Sequence, residues 1–106
     1  MLKEGLQAYL TQRLAPEPET LSTAQLLYLA TRAGADALGL EDQIGDFAAG
    51  KFADFVYLRP PETSPLAAVM RNAPSPERLL GAIFTLAGAE CVHETCVEGK
   101  PVFQAA

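Results

Sequence analysis

Apolar side chains recur at Leu2, Leu6, Tyr9, Leu10 and Leu14, the spacing of one helical face, which predicts an amphipathic helix over residues 2–14. Pro16 and Pro18 end it, because each lacks a backbone donor and fixes φ. A new start follows at Ser22-Thr23-Ala24-Gln25, which has the S-x-x-Q form of a capping box, with Leu21 and Leu26 placed as a hydrophobic staple. Leu26, Leu27, Leu29, Ala30 and Ala33 supply the buried stripe, Gly34 is the expected stop, and a short helical piece runs from Ala35 to Leu38 before Gly39.

Past Gly45 the pattern changes. ADFVYL, Ala53 to Leu58, is a short apolar run rich in β-formers and closed by Pro60-Pro61, so it reads as a strand. Ser64-Pro65 opens one or two helical turns through Met70. Ser75-Pro76-Glu77 caps a longer helix through about Leu86 that stops at Gly88. Cys91–Val97 and Lys100–Phe103 flank Glu98-Gly99, a two-residue hairpin turn in which Gly99 takes positive φ. The class is α+β.

Composition narrows the partners. The 106 residues fit one domain or a piece of a larger one, and 49% hydrophobic against 20% charged residues is a globular balance. Eight basic and thirteen acidic side chains give a net charge of −5 with no Lys/Arg cluster, which argues against nucleic acid and anionic membrane. No apolar run approaches the ~20 residues of a membrane span, and the opening MLKEG reads as mid-protein sequence, without a leader. Two cysteines make no disulfide scaffold, so a reducing cytoplasm is expected.

Three constellations carry candidate chemistry. GDFAAGKF, Gly45 to Phe52, matches the phosphate loop G-x-x-x-x-G-K-[ST] at Gly45, Gly50 and Lys51 but has Phe52 where a hydroxyl should meet magnesium. A phosphate loop follows a strand and opens a helix, whose amides hold the phosphates. Here helix precedes and strand follows, so the glycines are read as turning the chain, Lys51 as a solvated turn lysine, and Phe47 and Phe52 as packing residues.

Cys91-Val92-His93-Glu94-Thr95-Cys96 places three soft ligands close together. Strand alternation would put Cys91 and His93 on one face and Cys96 on the other, and the chain has no further His or Cys to complete a tetrahedral zinc site. The thiols are therefore expected as small apolar groups on a half-buried sheet, and His93 as a surface or edge histidine. The carboxylates Glu41, Asp42, Asp46 and Asp54 show no spacing that selects an acid–base pair, and are read as solvated turn residues or caps.

The order of these blocks resembles the C-terminal end of amidohydrolase-superfamily enzymes. ATRAGADALGL matches the family pattern A-T-x-x-G-A-x-A-L-G-L through Ala30-Thr31, Gly34-Ala35 and Ala37 to Leu40. Ile44 through Val56 match I-G-x-x-x-x-G-K-x-A-D-F-V, and Val97, Gly99, Lys100 and Val102 match V-x-G-K-x-V. Within the superfamily, SPERLLGAIFTLAG and MLKEGLQAYL are most similar to the guanine deaminase branch.

The resemblance implies residues 1–43 as terminal helices associated with a (β/α)8 barrel. It implies 44–106 as the C-terminal part of an accessory β-sandwich with an inserted helix. It also implies a parent enzyme that holds zinc or iron with an H-x-H pair, two further histidines and an aspartate, and hydrolyses a ring amine. None of those positions maps onto this chain, so no catalytic, substrate-binding or metal-binding residue is assigned and the chain alone is expected to be inactive. Its expected partners are the N-terminal part of the same enzyme, a second copy, or both.

Overall fold

The computed structural model describes residues 2–106. Helix α1 spans Leu2–Arg13, α2 Thr23–Ala30 and α3 Arg32–Leu38. Strand β1 (Phe55–Leu58) follows, then α4 (Pro65–Asn72), α5 (Pro76–Leu86), β2 (Val92–Val97) and β3 (Lys100–Gln104).

The caps are where local chemistry places them. Ser22 Oγ accepts from the Gln25 amide at 3.1 Å while Gln25 Oε1 accepts from the Ser22 amide at 2.8 Å, so two orphan donors at the start of α2 are satisfied reciprocally. Ser64 and Ser75 cap α4 and α5 with one such bond each, accepting from the Ala67 and Arg78 amides, and each has proline in the first turn. Gly34 does not stop a helix. α2 ends at Ala30, Thr31 bends the chain, and Gly34 lies inside α3, which ends at Gly39 in the left-handed region. Thr31 Oγ1 bonds back to the Leu27 carbonyl at 2.6 Å, giving the break a local side-chain partner.

The sheet is antiparallel in the order β1-β2-β3, with Phe55 opposite Cys96 and Thr95 opposite Phe103. Both Glu98 (φ 52°) and Gly99 (φ 73°) are left-handed, as a two-residue turn between right-twisted strands requires. The unfavourable φ of Glu98 is supported from outside the hairpin, because its amide donates to Asp54 Oδ1 at 2.7 Å.

Helices pack on helices and strands on strands, and neither layer lies broadly against the other. α5 rests on α1, α2 and α4; Gly5 lets the Phe84 ring close on α1, since a Cβ there would lie 2.5 Å from the ring. A small cluster of Leu66, Ala87 and Cys91, flanked by Leu2, Ala82 and Ile83, joins helices to the start of β2. The molecule is a slab of 41 × 39 × 22 Å with a radius of gyration of 15.0 Å. A compact domain of this length would have about 13 Å. Leu14, Leu38 and Phe47 are 86%, 72% and 82% exposed, and all of β3 faces solvent.

Candidate functional site

The crossover from α3 to β1 carries the phosphate-loop look-alike, and its geometry is that of a brace. Gly45 (φ 101°) and Gly50 (φ 91°) turn the chain, and no helix follows Lys51 to present amides to an anion. A Cβ at Gly45 would sit 2.8 Å from that of Ala35 and 3.3 Å from Arg32 Cα, so this glycine also permits the loop to close on α3.

Lys51 is not a solvated turn lysine. Its side chain is 11% exposed, and Nζ donates to the Glu41 carbonyl and, at 2.8 Å, to Asp46 Oδ2. Asp46 is equally engaged: Arg32 from α3 donates to the same carboxylate oxygen, and the Ala48 amide reaches Oδ1 at 3.0 Å. A lysine with an apolar stem and no acceptor capacity can be half-buried in a loop only where carbonyl and carboxylate oxygens meet its ammonium, and this loop supplies both. Nothing in the G-x-x-x-x-G-K spacing tells a phosphate ligand from such a brace; the difference lies in Arg32, a helix away.

The Lys51 ammonium foremost, then the Ala48 amide and the Arg32 guanidinium, hold the Asp46 carboxyl at about 2, below its ordinary 3.8. A carboxyl depressed in the folded state contributes stability above its unfolded value and loses it as pH falls through the folded value. The stability difference between wild type and Asp46→Asn should therefore be constant at neutral pH and shrink between 3.8 and about 2. Thermal melts of both proteins across that range measure it; a difference that persists unchanged to the acid end removes Asp46 from the brace.

The other carboxylates do not converge. Asp54 is exposed and serves the Glu98 turn, Asp42 is exposed, and Glu41 Oε2 is buried with no hydrogen-bond partner among the described residues. Phe52 is 47% exposed, and Phe47, 82% exposed, lies with its ring tilted toward that of Phe55 at 6.2 Å between centroids.

Cys91 lies in a short 3₁₀ turn (Ala89–Cys91) before β2, so the alternation that would pair it with His93 begins after it. Both thiols are free and buried, as small apolar groups. Burial pushes the Cys96 thiol up, and the Glu94 carboxylate 3.2 Å away adds to the shift, the opposite of what a thiolate ligand or nucleophile needs. His93 packs edge-on against Tyr57 at 5.4 Å. Among the described residues no three His, Cys, Asp or Glu side chains are grouped to hold a metal ion, so these residues do not fit the metal centre of the resemblance. Nor, among them, is any helix long and apolar enough to cross a membrane.

What the fold does present is a groove of about 920 Å³ between the two layers. Leu27, Ile83 and Phe84 line its helical wall and Phe55, Val56 and Leu58 its strand wall, with Asp46 at the braced end. No run of residues announces it, since its walls come from segments far apart in the chain.

A family model described as "Amidohydrolase family" matches residues 1–102. A probable guanine deaminase of Deinococcus radiodurans is 53% identical over 104 residues, covering 97% of this chain and 24% of the relative. Guanine deaminase of Escherichia coli is 38% identical over 84 residues, 79% of this chain and 19% of that protein. The solved structure of E. coli guanine deaminase superposes with a TM-score of 0.88 at 34% identity, over 99% of this chain and 24% of that one. An adenosine deaminase from Xanthomonas campestris with bound zinc follows at 0.74 and 29%, over 95% and 21%. The chain thus spans about a fifth to a quarter of the length of the curated relatives it matches. Their shared α+β segment and the near-complete reach of the family model lead to one assignment: this chain belongs to the amidohydrolase family.

Proposed function

We propose that the chain is the packing segment of a guanine-deaminase-like amidohydrolase, whose reaction as a whole is guanine plus water to xanthine plus ammonia. In this reading residues 1–43 are barrel-associated helices, and residues 44–106 supply part of a small β-sandwich. The similarity to the D. radiodurans relative, over almost all of this chain but a quarter of that one, carries the proposal. Zinc or iron would then be held by the rest of the parent, and the segment would complete the sheet and cover the barrel.

Ammonia release from guanine tests this in two arms, both with zinc present. The chain alone should release none. A chimera in which it replaces the matched segment of the D. radiodurans relative should release ammonia. Turnover by the chain alone overturns the packing role, and a folded chimera that deaminates another heterocycle but not guanine overturns the substrate while leaving the family.

A stand-alone interaction module is the second reading, supported by the exposed apolar residues and the open sheet edges. It requires activity of the chimera to be irrelevant to the cell, and an adjoining reading frame encoding an H-x-H pair and a distal aspartate would count against it.

A further inference from the structure

We propose that the break between α2 and α3 is a two-state hinge, bent as in this structure or straightened into one helix over residues 23–38. The Tyr28–Asp36 hydrogen bond latches the bent state. Because the crossover to β1 starts from α3, the hinge sets how the sheet lies beside the helices.

Nothing in the local sequence asks for a break. Residues 23–38 hold no proline, and their one glycine, Gly34, lies inside α3 rather than at the bend. Alanine and leucine dominate the stretch, and both are strong helix formers. Thr31 nevertheless stands at φ −131° and ψ −86°, away from helical values. Its hydroxyl bond to the Leu27 carbonyl does not account for this, because threonine makes the same bond inside continuous helices.

The bend also forgoes backbone bonds. The Thr31 amide turns to the Tyr28 carbonyl at 3.2 Å, α3 has no side-chain cap, and the Ala35 amide makes the first return bond, to Thr31, at 3.3 Å. The amides of Arg32, Ala33 and Gly34 lie ahead of that first closed turn. In a straight helix they would meet the carbonyls of Tyr28, Leu29 and Ala30.

Among the described residues, one hydrogen bond between side chains spans the bend, and it exists only because of the bend: the Tyr28 hydroxyl donates to Asp36 Oδ2 at 3.1 Å. Eight residues of straight helix advance about 12 Å, and a helical tyrosine leans toward the N-terminus, away from Asp36. Asp36 is oriented by Arg32 at 3.0 Å, and Arg32 also reaches Asp46 in the crossover. Past the bend, α3 and the crossover form one body. Gly45 closes on Ala35, the Leu40 amide donates to the Ala35 carbonyl at 2.9 Å, and the Phe52 amide to that of Gln43 at 2.8 Å. On the other side α2 is fixed against α1 and α5. Two bodies meet at one residue, with backbone bonds to be gained by straightening and an exposed side-chain bond to be lost. One hydrogen bond can shift such a population.

Amide hydrogen exchange, followed by NMR on the whole chain, tests the hinge. Tyr28→Phe removes only a hydroxyl, from a side chain that is half exposed, so the fold is retained. Exchange at Arg32, Ala33 and Gly34 should slow at least about three-fold in Tyr28→Phe and in Asp36→Ala, the change expected when nearly balanced states lose one hydrogen bond. Damage speeds exchange, so slowing at these three amides reports a gained helical turn. The Thr31 carbon-13 shifts should move toward helical values in the same variants; slowing without that move overturns the straightened state. Unchanged or faster exchange in Tyr28→Phe overturns the latch, and if Asp36→Ala does not fold, Tyr28→Phe decides alone. Slowing in Thr31→Ala but not in Tyr28→Phe assigns the bend to the threonine hydroxyl and also overturns the latch.

Discussion

Leu66→Ala should cost about 3 kcal/mol and leave little of the isolated chain folded at 37 °C. Leu66 is 1% exposed and is the largest member of the cluster formed with Ala87 and Cys91. That cluster is the apolar joint between layers, so the cavity would open where few neighbours can move in to fill it. Domains of this size have only about 5–15 kcal/mol in total, and a slab with so many exposed apolar residues belongs at the low end. Urea denaturation followed by far-ultraviolet circular dichroism gives the difference. A loss below about 1 kcal/mol would show that the joint is not cooperative with the rest. In the chimera the same substitution should cost as much in free energy but unfold nothing, because further packing adds stability there.

Gly45→Ala is the second large effect, about 3 kcal/mol from two separable sources. One is backbone: φ of 101° lies outside the comfortable range of any residue with a Cβ. The other is contact, since the new methyl group meets Ala35 Cβ at 2.8 Å and Arg32 Cα at 3.3 Å. Gly50→Ala is the control. It has a similar φ of 91° but nothing within 4 Å, so it should lose only the backbone part. Equal losses at the two positions, measured by thermal melting, would mean that the fit of the loop against α3 contributes nothing. A larger loss at Gly45 accompanied by freer exchange of the Phe52 amide would trace the damage into the brace.

These two residues mark the limit of what the chain's pattern discloses. Caps are readable because donor and acceptor lie three residues apart: Ser22 with Gln25, Ser64 with Ala67, Ser75 with Arg78. The Glu98-Gly99 turn is readable for the same reason. Gly34 misleads because a glycine stop and a glycine inside a helix look alike until the break at Thr31 is known. Lys51 misleads more, since its ammonium is met by the Glu41 carbonyl ten residues back and by Asp46, a carboxylate that Arg32 also holds. Phe47 misleads as a packing residue in this chain, being 82% exposed. The groove was out of reach because its walls are a property of tertiary spacing, whereas the family blocks were legible as strings.

The contact between Asp54 and Glu98 spans 44 residues. The β2–β3 hairpin needs only its own turn and can close in microseconds, whereas β1 must await a loop closure through α4 and α5 before it finds β2. During synthesis β1 leaves the ribosome first and stands without a neighbour until nearly the last strand has emerged. For that interval FVYL is an unshielded sticky segment, so slower translation lengthens its hazard. The yield of this chain in a cell will be governed by chaperone occupancy over those residues as well as by the stability of the finished slab.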